Sequence, residues 1–168
     1  MKSFLSSALA VYMQFAEGEN APSIVSVATK RDQAKLIFDV SKRMINNSPH
    51  LSPHAQVRLN EIRTEFNHGV FKPLASDSNS LDGLNINVAC HDELHSYKDA
   101  NLYNVVVDGM SARNQPLTFI TTTNGFVRNG IFDLKYEEAT RIINGLNDKD
   151  GYKDDTILPF IYELDEFN

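Results

Sequence analysis

Apolar and polar positions along this chain follow two different periods. Where apolar side chains recur every three or four residues the pattern predicts an amphipathic helix, and this holds over residues 2–15, 31–46 and 131–146. Short apolar runs bounded by turn residues predict buried strands, and they lie at residues 24–28, 86–91 and 117–121. Residues 102–110 fit either an apolar helix or a buried segment.

Two further segments complete the predicted sheet. Residues 61–66 and 70–74 flank Asn67-His68-Gly69 and predict a hairpin. Residues 157–164 predict a last strand, which Pro159 confines to an edge because proline lacks a backbone donor. Strands that alternate with helices predict an α/β domain with a largely parallel sheet, and such sheets bind ligands at the carboxyl ends of their strands.

Composition narrows the class of protein but does not choose a function. A chain of 168 residues with 42% hydrophobic and 23% charged residues is typical of one globular domain. The net charge of −6 excludes an attraction of the whole chain to nucleic acid. A local basic face could still be formed by Lys30, Arg31, Lys35, Lys42 and Arg43. The single Cys90 excludes an internal disulfide, and no apolar stretch reaches the roughly 20 residues of a membrane span.

The apolar run that starts at Ile86 ends in two adjacent carboxylates, Asp92 and Glu93. Carboxylates at the tip of a buried strand must be solvated, paired or bound to a cation. In phosphoryl transfer, such a pair can hold Mg²⁺ through the first acid and activate water through the second. The alternative, that the pair caps the following turn, stays open on sequence alone.

A polar tip also follows the next predicted strand. Thr121, Thr122 and Asn124 carry hydroxyl and amide groups that can bind a γ-phosphate or the attacking water. The alternative is an ordinary strand end, because β-branched residues such as threonine are common in strands. Two neighbouring tips, however, would face one site, and this favours the functional interpretation.

The phosphate-binding half of such a site is only partly present. A P-loop reads G-x-x-x-x-G-K-[ST] between a strand and a helix, and here Lys2 and Ser3 match its last two positions directly before a predicted helix. His91 and His95 suggest a metal site instead, but a zinc-protease helix needs H-E-x-x-H, and this chain reads H-D-E-L-H after a strand.

Taken in order, these motifs resemble those of the ATPase domain of the large terminase subunit of tailed bacteriophages. Lys2-Ser3 is similar to the tail of Walker A in that family, and residues 28–34 to the segment after its second strand. Residues 71–85 resemble the approach to Walker B, and residues 90–95 resemble Walker B itself. Residues 113–125 resemble the coupling motif, and residues 154–165 resemble the end of the domain.

The resemblance implies a fold and an activity. The fold is a P-loop NTPase-like three-layer sandwich with a mostly parallel sheet, and the activity is ATP- and Mg²⁺-dependent packaging of viral DNA into a procapsid. The implied partners are double-stranded viral DNA, the portal protein, the small terminase subunit and other copies in a homo-oligomeric ring, in the host bacterial cytoplasm and without a membrane.

The resemblance also implies residue roles. Lys2 would contact the β- and γ-phosphates, Ser3 and Asp92 would serve the Mg²⁺, and Glu93 would activate water. Thr121, Thr122 and Asn124 would couple hydrolysis to movement. Arg113, with Arg128 as a second candidate, would be the arginine supplied to a neighbouring subunit.

Two departures from the family pattern lead to further expectations. The strand and glycine-rich loop that precede Lys2 in the family are not in this sequence, and the C-terminal nuclease would follow residue 168. We expect unpaired backbone edges or a gap beside the Walker B strand, where that first strand would pair. We also expect residues 1–168, as a partial motor domain, to hydrolyse ATP poorly or not at all. The alternatives are an inactive prophage remnant or interaction fragment, and a small metal-binding protein around His91 and His95.

Overall fold

A computed structural model describes residues 2–76, 83–125 and 129–163 and arranges them in three layers. A six-stranded sheet lies between two pairs of helices. The helices are α1 (Lys2–Phe15), α2 (Arg31–Asn46), α3 (Asn101–Asp108) and α4 (Ile131–Gly145). The strands are β1 (Ser23–Ala28), β2 (Ala55–Val57), β3 (Ile62–Thr64), β4 (Gly69–Ala75), β5 (Val88–Asp92) and β6 (Leu117–Thr121).

The sheet is mostly parallel and has the order β2-β3-β4-β1-β5-β6. Strands β4, β1, β5 and β6 pair in parallel, whereas β2 and β3 extend the sheet in antiparallel pairing beside β4. The parallel half therefore has a single carboxyl edge, at which β5 and β6 end next to each other.

Alternate residues of the central strands face two separate cores. In β1, Ile24 packs in the core formed with α1 and α2, while Val25 and Val27 pack in the core formed with α3 and the start of α4. Because side chains of a strand alternate between faces, both faces of β1 and β5 must be apolar. This explains why these strands read as nearly continuous apolar runs.

Hydrogen bonds along helix α1 fix its position and direction. Near its middle, Ser7 donates to the carbonyl of Ile37 in α2 at 2.8 Å. Near its end, Gln14 donates to the carbonyl of Ile62 at 3.1 Å, and Asn67 donates to the carbonyl of Gln14 at 2.8 Å. The end of α1 thus lies at the amino edge of the parallel strands, so its first residue, Lys2, lies at the carboxyl edge.

Most of the predicted elements are confirmed. Helices α1 and α2 match the predicted bounds, α4 ends one residue early, residues 101–108 form helix α3, and the predicted hairpin is β3–β4. Strand β2, with only three residues, was not predicted. The predicted loops at residues 75–83 and 125–130 fall partly on residues that the structure does not describe.

Two expectations are wrong. Residues 157–163 form no strand in the described part of the chain, and Leu158 and Tyr162 are 80% and 92% exposed. The strand that carries Asp92 has neither the unpaired edge nor the gap expected beside it, because β5 pairs with β1 on one side and with β6 on the other. Within the described residues β6, not β5, has the unpaired edge.

Among the described residues, no helix combines the length and the apolar character that a membrane crossing requires.

The aromatic pair in the first core gives a test of this packing. Phe38 and Phe71 are fully buried, with ring centroids 5.4 Å apart, whereas Phe66 is 57% exposed. We expect Phe38→Ala to lower the free energy of unfolding by about 3–5 kcal/mol, because it removes buried contacts and leaves a cavity. Phe66→Ala, the matched control, should cost less than about 1 kcal/mol. Urea unfolding followed by circular dichroism measures both, and equal losses would contradict the assignment of this core.

Candidate active site

The carboxyl ends of β5 and β6 form one polar tip. Asp92 and Thr121 are paired in the register of the two strands, and the Thr121 hydroxyl donates to Asp92 Oδ1 at 3.2 Å. The next backbone N–H, that of Glu93, donates to the carbonyl of Thr121 at 2.9 Å. The two strand tips that the sequence singled out are therefore adjacent.

Glu93 leaves the strand in a sharp turn. Its φ of 51° and ψ of 52° are left-handed, a conformation that costs a non-glycine residue on the order of 1–2 kcal/mol. A short 3₁₀ helix, Leu94–Ser96, follows, and the Glu93 side chain makes no capping hydrogen bond to it. The Glu93 carboxylate therefore does not cap the backbone of this helix, which argues against a mere capping role.

The Glu93 carboxylate instead binds the first described residue of the chain. Lys2 Nζ lies 2.8 Å from Glu93 Oε1, and both side chains are partly exposed. The two residues are 91 positions apart and meet because α1 begins at the edge where β5 ends. The structure therefore brings Lys2 to the acid pair, as the proposed site requires.

The two carboxylates have opposite electrostatic environments. Burial, with the neighbouring charge of Glu93, raises the pKa of Asp92 above its usual value. Burial also acts to raise the pKa of Glu93, but the hydrogen bond and charge of Lys2 and the Thr123 hydroxyl outweigh it, so that pKa is lowered. Glu93 is therefore ionised at neutral pH, and a cation near Asp92 would favour the ionised form of the second acid.

The oxygen atoms at the tip suit a magnesium ion. Mg²⁺ prefers oxygen ligands and is commonly held by one or two carboxylates together with substrate phosphates. The Asp92 carboxylate and Thr121 hydroxyl provide such oxygens. In the described part of the chain no three His, Cys, Asp or Glu residues gather into a metal cluster, so a metal here would depend on ligands from a substrate.

The other predicted binding residues lie at different distances from this tip. Thr122 contacts His95, and Asn124 is exposed beyond the end of β6. Ser3, in the first turn of α1, lines a surface cavity of about 490 Å³ together with Asp39, Lys42 and Arg43 of α2. None of the described contacts joins Ser3 to Asp92.

The sequence did not predict two side chains at the tip that contact the Glu93 carboxylate. Thr123 donates to Glu93 Oε2 at 3.2 Å, and His95 Nδ1 lies 3.2 Å from the same oxygen. Thr123 belongs to the polar run that the sequence had indicated. His95 was predicted only as a metal ligand. Its approach to Glu93 depends on the left-handed turn, which the sequence does not reveal.

His91 and Cys90 belong to the core. His91 Nδ1 lies 3.0 Å from the Tyr97 hydroxyl, which donates to the carbonyl of Val27, and burial lowers the His91 pKa to about 4. Burial raises the pKa of the Cys90 thiol to about 12. His91 is thus neutral and separate from His95, which does not support a metal site shared by the two histidines.

Arg113 lies at the opposite end of the sheet. Its guanidinium donates to Glu19 Oε1 at 3.0 Å and to the backbone carbonyls of Asn20, Ala21 and Asn85. These acceptors precede β1 and β5, so the side chain ties together the amino ends of the strands. The structure does not bring Arg113 to the acid pair, and Arg128 lies outside the described residues.

Comparison with known proteins agrees with the fold and with the order of the motifs. Residues 1–141 match the family model described as the terminase large subunit, ATPase domain. Protein YmfN of Escherichia coli (strain K12) is 33% identical over 85 residues, which are 51% of this chain and 18% of that protein. The chain thus spans less than a fifth of the length of this relative.

Solved structures share the fold at low sequence identity. The HK97 bacteriophage large terminase superposes with a TM-score of 0.72 at 18% identity, over 81% of this chain and 29% of that one. The large terminase ATPase domain of Thermus phage P74-26 superposes with a TM-score of 0.69 at 17% identity, over 92% of this chain and 68% of that one.

The Arg113 network predicts a structural role for this residue. The guanidinium is largely buried beside Glu19, with side chains 11% and 24% exposed, so Arg113→Met should cost about 3 kcal/mol by leaving a partly buried carboxylate unpaired. Arg58→Met is the control, because Arg58 is 60% exposed beside Glu61 and should cost less than about 1 kcal/mol. A similar urea midpoint for the two variants would contradict this role.

The buried neutral His91 predicts a loss of stability in acid. The unfolded state takes up a proton near the ordinary histidine pKa of 6.5 and the folded state only near 4, so the stabilisation is complete above pH 6.5 and is lost as the pH falls. Between pH 7 and pH 5 the free energy of unfolding should fall by about 2 kcal/mol from this residue alone. His91→Leu should remove this part of the pH dependence, whereas His50→Leu, at an exposed position, should not. Thermal unfolding across this pH range measures it, and a pH dependence unchanged in His91→Leu would refute it.

Proposed function

Because the chain belongs to the family of terminase large-subunit ATPase domains, we propose that it is part of an ATP-hydrolysing motor that drives viral DNA packaging. The observation that carries this proposal is the 2.8 Å contact of Lys2 with Glu93 at the carboxyl edge of the sheet. This contact supports the proposal, because an ammonium that could bind phosphates lies beside a carboxylate that could activate water.

Lys2 would bind the β- and γ-phosphates of ATP. Its ammonium lies at the start of α1, where the backbone N–H groups of the first turn and the helix dipole also favour an anion. In this structure the ammonium donates a hydrogen bond to the Glu93 carboxylate. A triphosphate must therefore compete with the carboxylate, and the exchange frees Glu93 Oε1 as Lys2 turns to the phosphate.

Asp92 would bind the Mg²⁺, with the Thr121 hydroxyl beside it. Ser3 would be the further metal ligand that the motif implies. A bound Mg²⁺ would neutralise charge on the phosphate oxygens. The raised pKa of Asp92 supports this assignment, because a buried carboxylate next to a second one gains most from a cation.

Glu93 would be the general base. Its lowered pKa keeps it ionised, and its left-handed turn directs it across the tip of β6. Thr121, Thr122 and Asn124 would report the state of the nucleotide to the rest of the motor from that tip. We leave Arg113 out of the catalytic set, because its guanidinium is bound to four acceptors at the other end of the sheet.

The remaining parts of the proposal concern the whole motor. We propose that residues 1–168 are one partial motor domain, which acts on double-stranded viral DNA in the host bacterial cytoplasm. The portal protein, the small terminase subunit and other copies in a ring are its proposed partners. The support for these proposals is membership of the family.

Equilibrium binding of Mg·ATP tests the proposed site. Lys2→Ala should weaken binding of a fluorescent ATP analogue about 10- to 100-fold, because a charge-assisted hydrogen bond to phosphate is lost. Glu93→Gln should leave affinity equal or higher, because it releases Lys2, while any turnover measured by phosphate release falls at least about 100-fold. Lys149→Ala and Glu137→Gln make the same charge changes at exposed positions and should alter neither quantity.

The outcomes separate the proposal from its rival. Affinity that is the same in the wild type and Lys2→Ala would contradict the nucleotide site. A chain that neither binds nor hydrolyses Mg·ATP, even when a strand and glycine-rich loop are added in front of Lys2, would favour an inactive remnant or interaction fragment.

A further inference from the structure

The two oxygens of the Glu93 carboxylate are held from opposite sides. Lys2 binds Oε1 at 2.8 Å, whereas Thr123 and His95 both contact Oε2 at 3.2 Å. A triphosphate that draws Lys2 away would release Oε1 only. The contacts of Oε2 come from β6 and from the turn after β5, and neither depends on Lys2.

The imidazole nitrogen His95 Nδ1 has three oxygen neighbours at this tip. It lies 3.2 Å from Glu93 Oε2, 3.2 Å from the Thr122 hydroxyl and 3.4 Å from the Thr123 hydroxyl. An ionised carboxylate has no proton to donate, so a hydrogen bond between His95 and Glu93 requires a proton on Nδ1.

His95 is itself fixed by the tip of β6. Its backbone N–H donates to the Thr122 hydroxyl oxygen at 3.1 Å. Its ring lies against the backbone of Gly125, where an added Cβ would come within 2.5 Å of the ring carbon Cδ2. The backbone of His95 is thus held by a hydrogen bond, and its ring is held by a close contact that only glycine permits.

We propose that His95 is a positioning residue for ATP hydrolysis, whose Nδ1–H holds Oε2 of Glu93 so that Oε1 is the oxygen that accepts the proton of water. This proposal rests on the proposed function of the site. The carboxylate is kept in one orientation when Lys2 leaves, and correct orientation of a base contributes directly to the rate. Through Thr122 and Gly125, the orientation of the base also depends on the conformation of the β6 tip.

Two substitutions separate positioning from packing. In His95→Asn the side-chain amide nitrogen can replace Nδ1 as the donor, whereas His95→Leu keeps apolar volume against Gly125 without a donor. We expect His95→Leu to lower kcat for Mg·ATP about 10- to 100-fold with less than a threefold change in KM, and His95→Asn to restore most of kcat. An unchanged kcat in His95→Leu, or a loss that His95→Asn does not relieve at equal thermal stability, would overturn the proposal.

A second measurement does not depend on turnover. Nuclear magnetic resonance of the full 168-residue chain with ¹⁵N-labelled histidine shows which ring nitrogen of neutral His95 carries the proton. We expect the proton on Nδ1, and a proton on Nε2 would overturn the proposal even if ATP is hydrolysed. Absence of wild-type turnover together with an Nδ1 proton would instead count against the proposed function and leave the contact between His95 and Glu93 established.

Discussion

The parallel pairing of β5 with β6, in the register that sets Asp92 opposite Thr121, is the constraint on which the site depends. A slip of one residue would exchange the two faces of β5 and place His91 and Ala89 in the wrong core. The register is well determined because both faces are buried, with Val88 and Cys90 on one side and Ala89 on the other. The packing of the sheet thus fixes the position of the polar tip.

The charges at this tip are only partly balanced. One ammonium, Lys2, serves two carboxylates, and it bonds directly to Glu93 rather than to Asp92. The pKa values of the two acids are consequently pushed in opposite directions. Divergent pKa values in two neighbouring acids are a common property of sites in which the two acids have different roles. This divergence is consistent with a structure that is electrostatically complete only with a further cation.

Local pattern predicted the elements better than their arrangement. The helical period over residues 31–46 was sufficient for α2, because its apolar face is the buried one. Over residues 2–15 the period predicted helix α1 but not its buried face, because Phe4, Leu5 and Tyr12 are exposed. Residues 157–164 have the apolar content of a strand, yet their described part pairs with no strand of the sheet, because pairing is not encoded locally. The order of the strands was equally inaccessible, which is why unpaired edges or a gap were expected beside β5, whereas the open edge is at β6.

The site shows the same division. The proximity of Lys2 to Glu93 and of Thr121 to Asp92 could be predicted, because strand ends and motif order are visible in the sequence. The hydrogen bonds of Arg113 could not be predicted, because its partners, such as Glu19 and Asn85, become neighbours only in the folded sheet. The approach of His95 to Glu93 depends on the left-handed conformation of Glu93, and the sequence around Glu93 does not predict that conformation.

Strand β6 has one more consequence, for the behaviour of the protein in solution. Its edge is unpaired among the described residues, and its five side chains, Phe119 and Ile120 among them, are all partly accessible. A bare parallel edge with apolar neighbours is a template for pairing with another chain. The colloidal stability of this protein therefore depends on what covers β6, because a high concentration favours pairing of this edge with another chain.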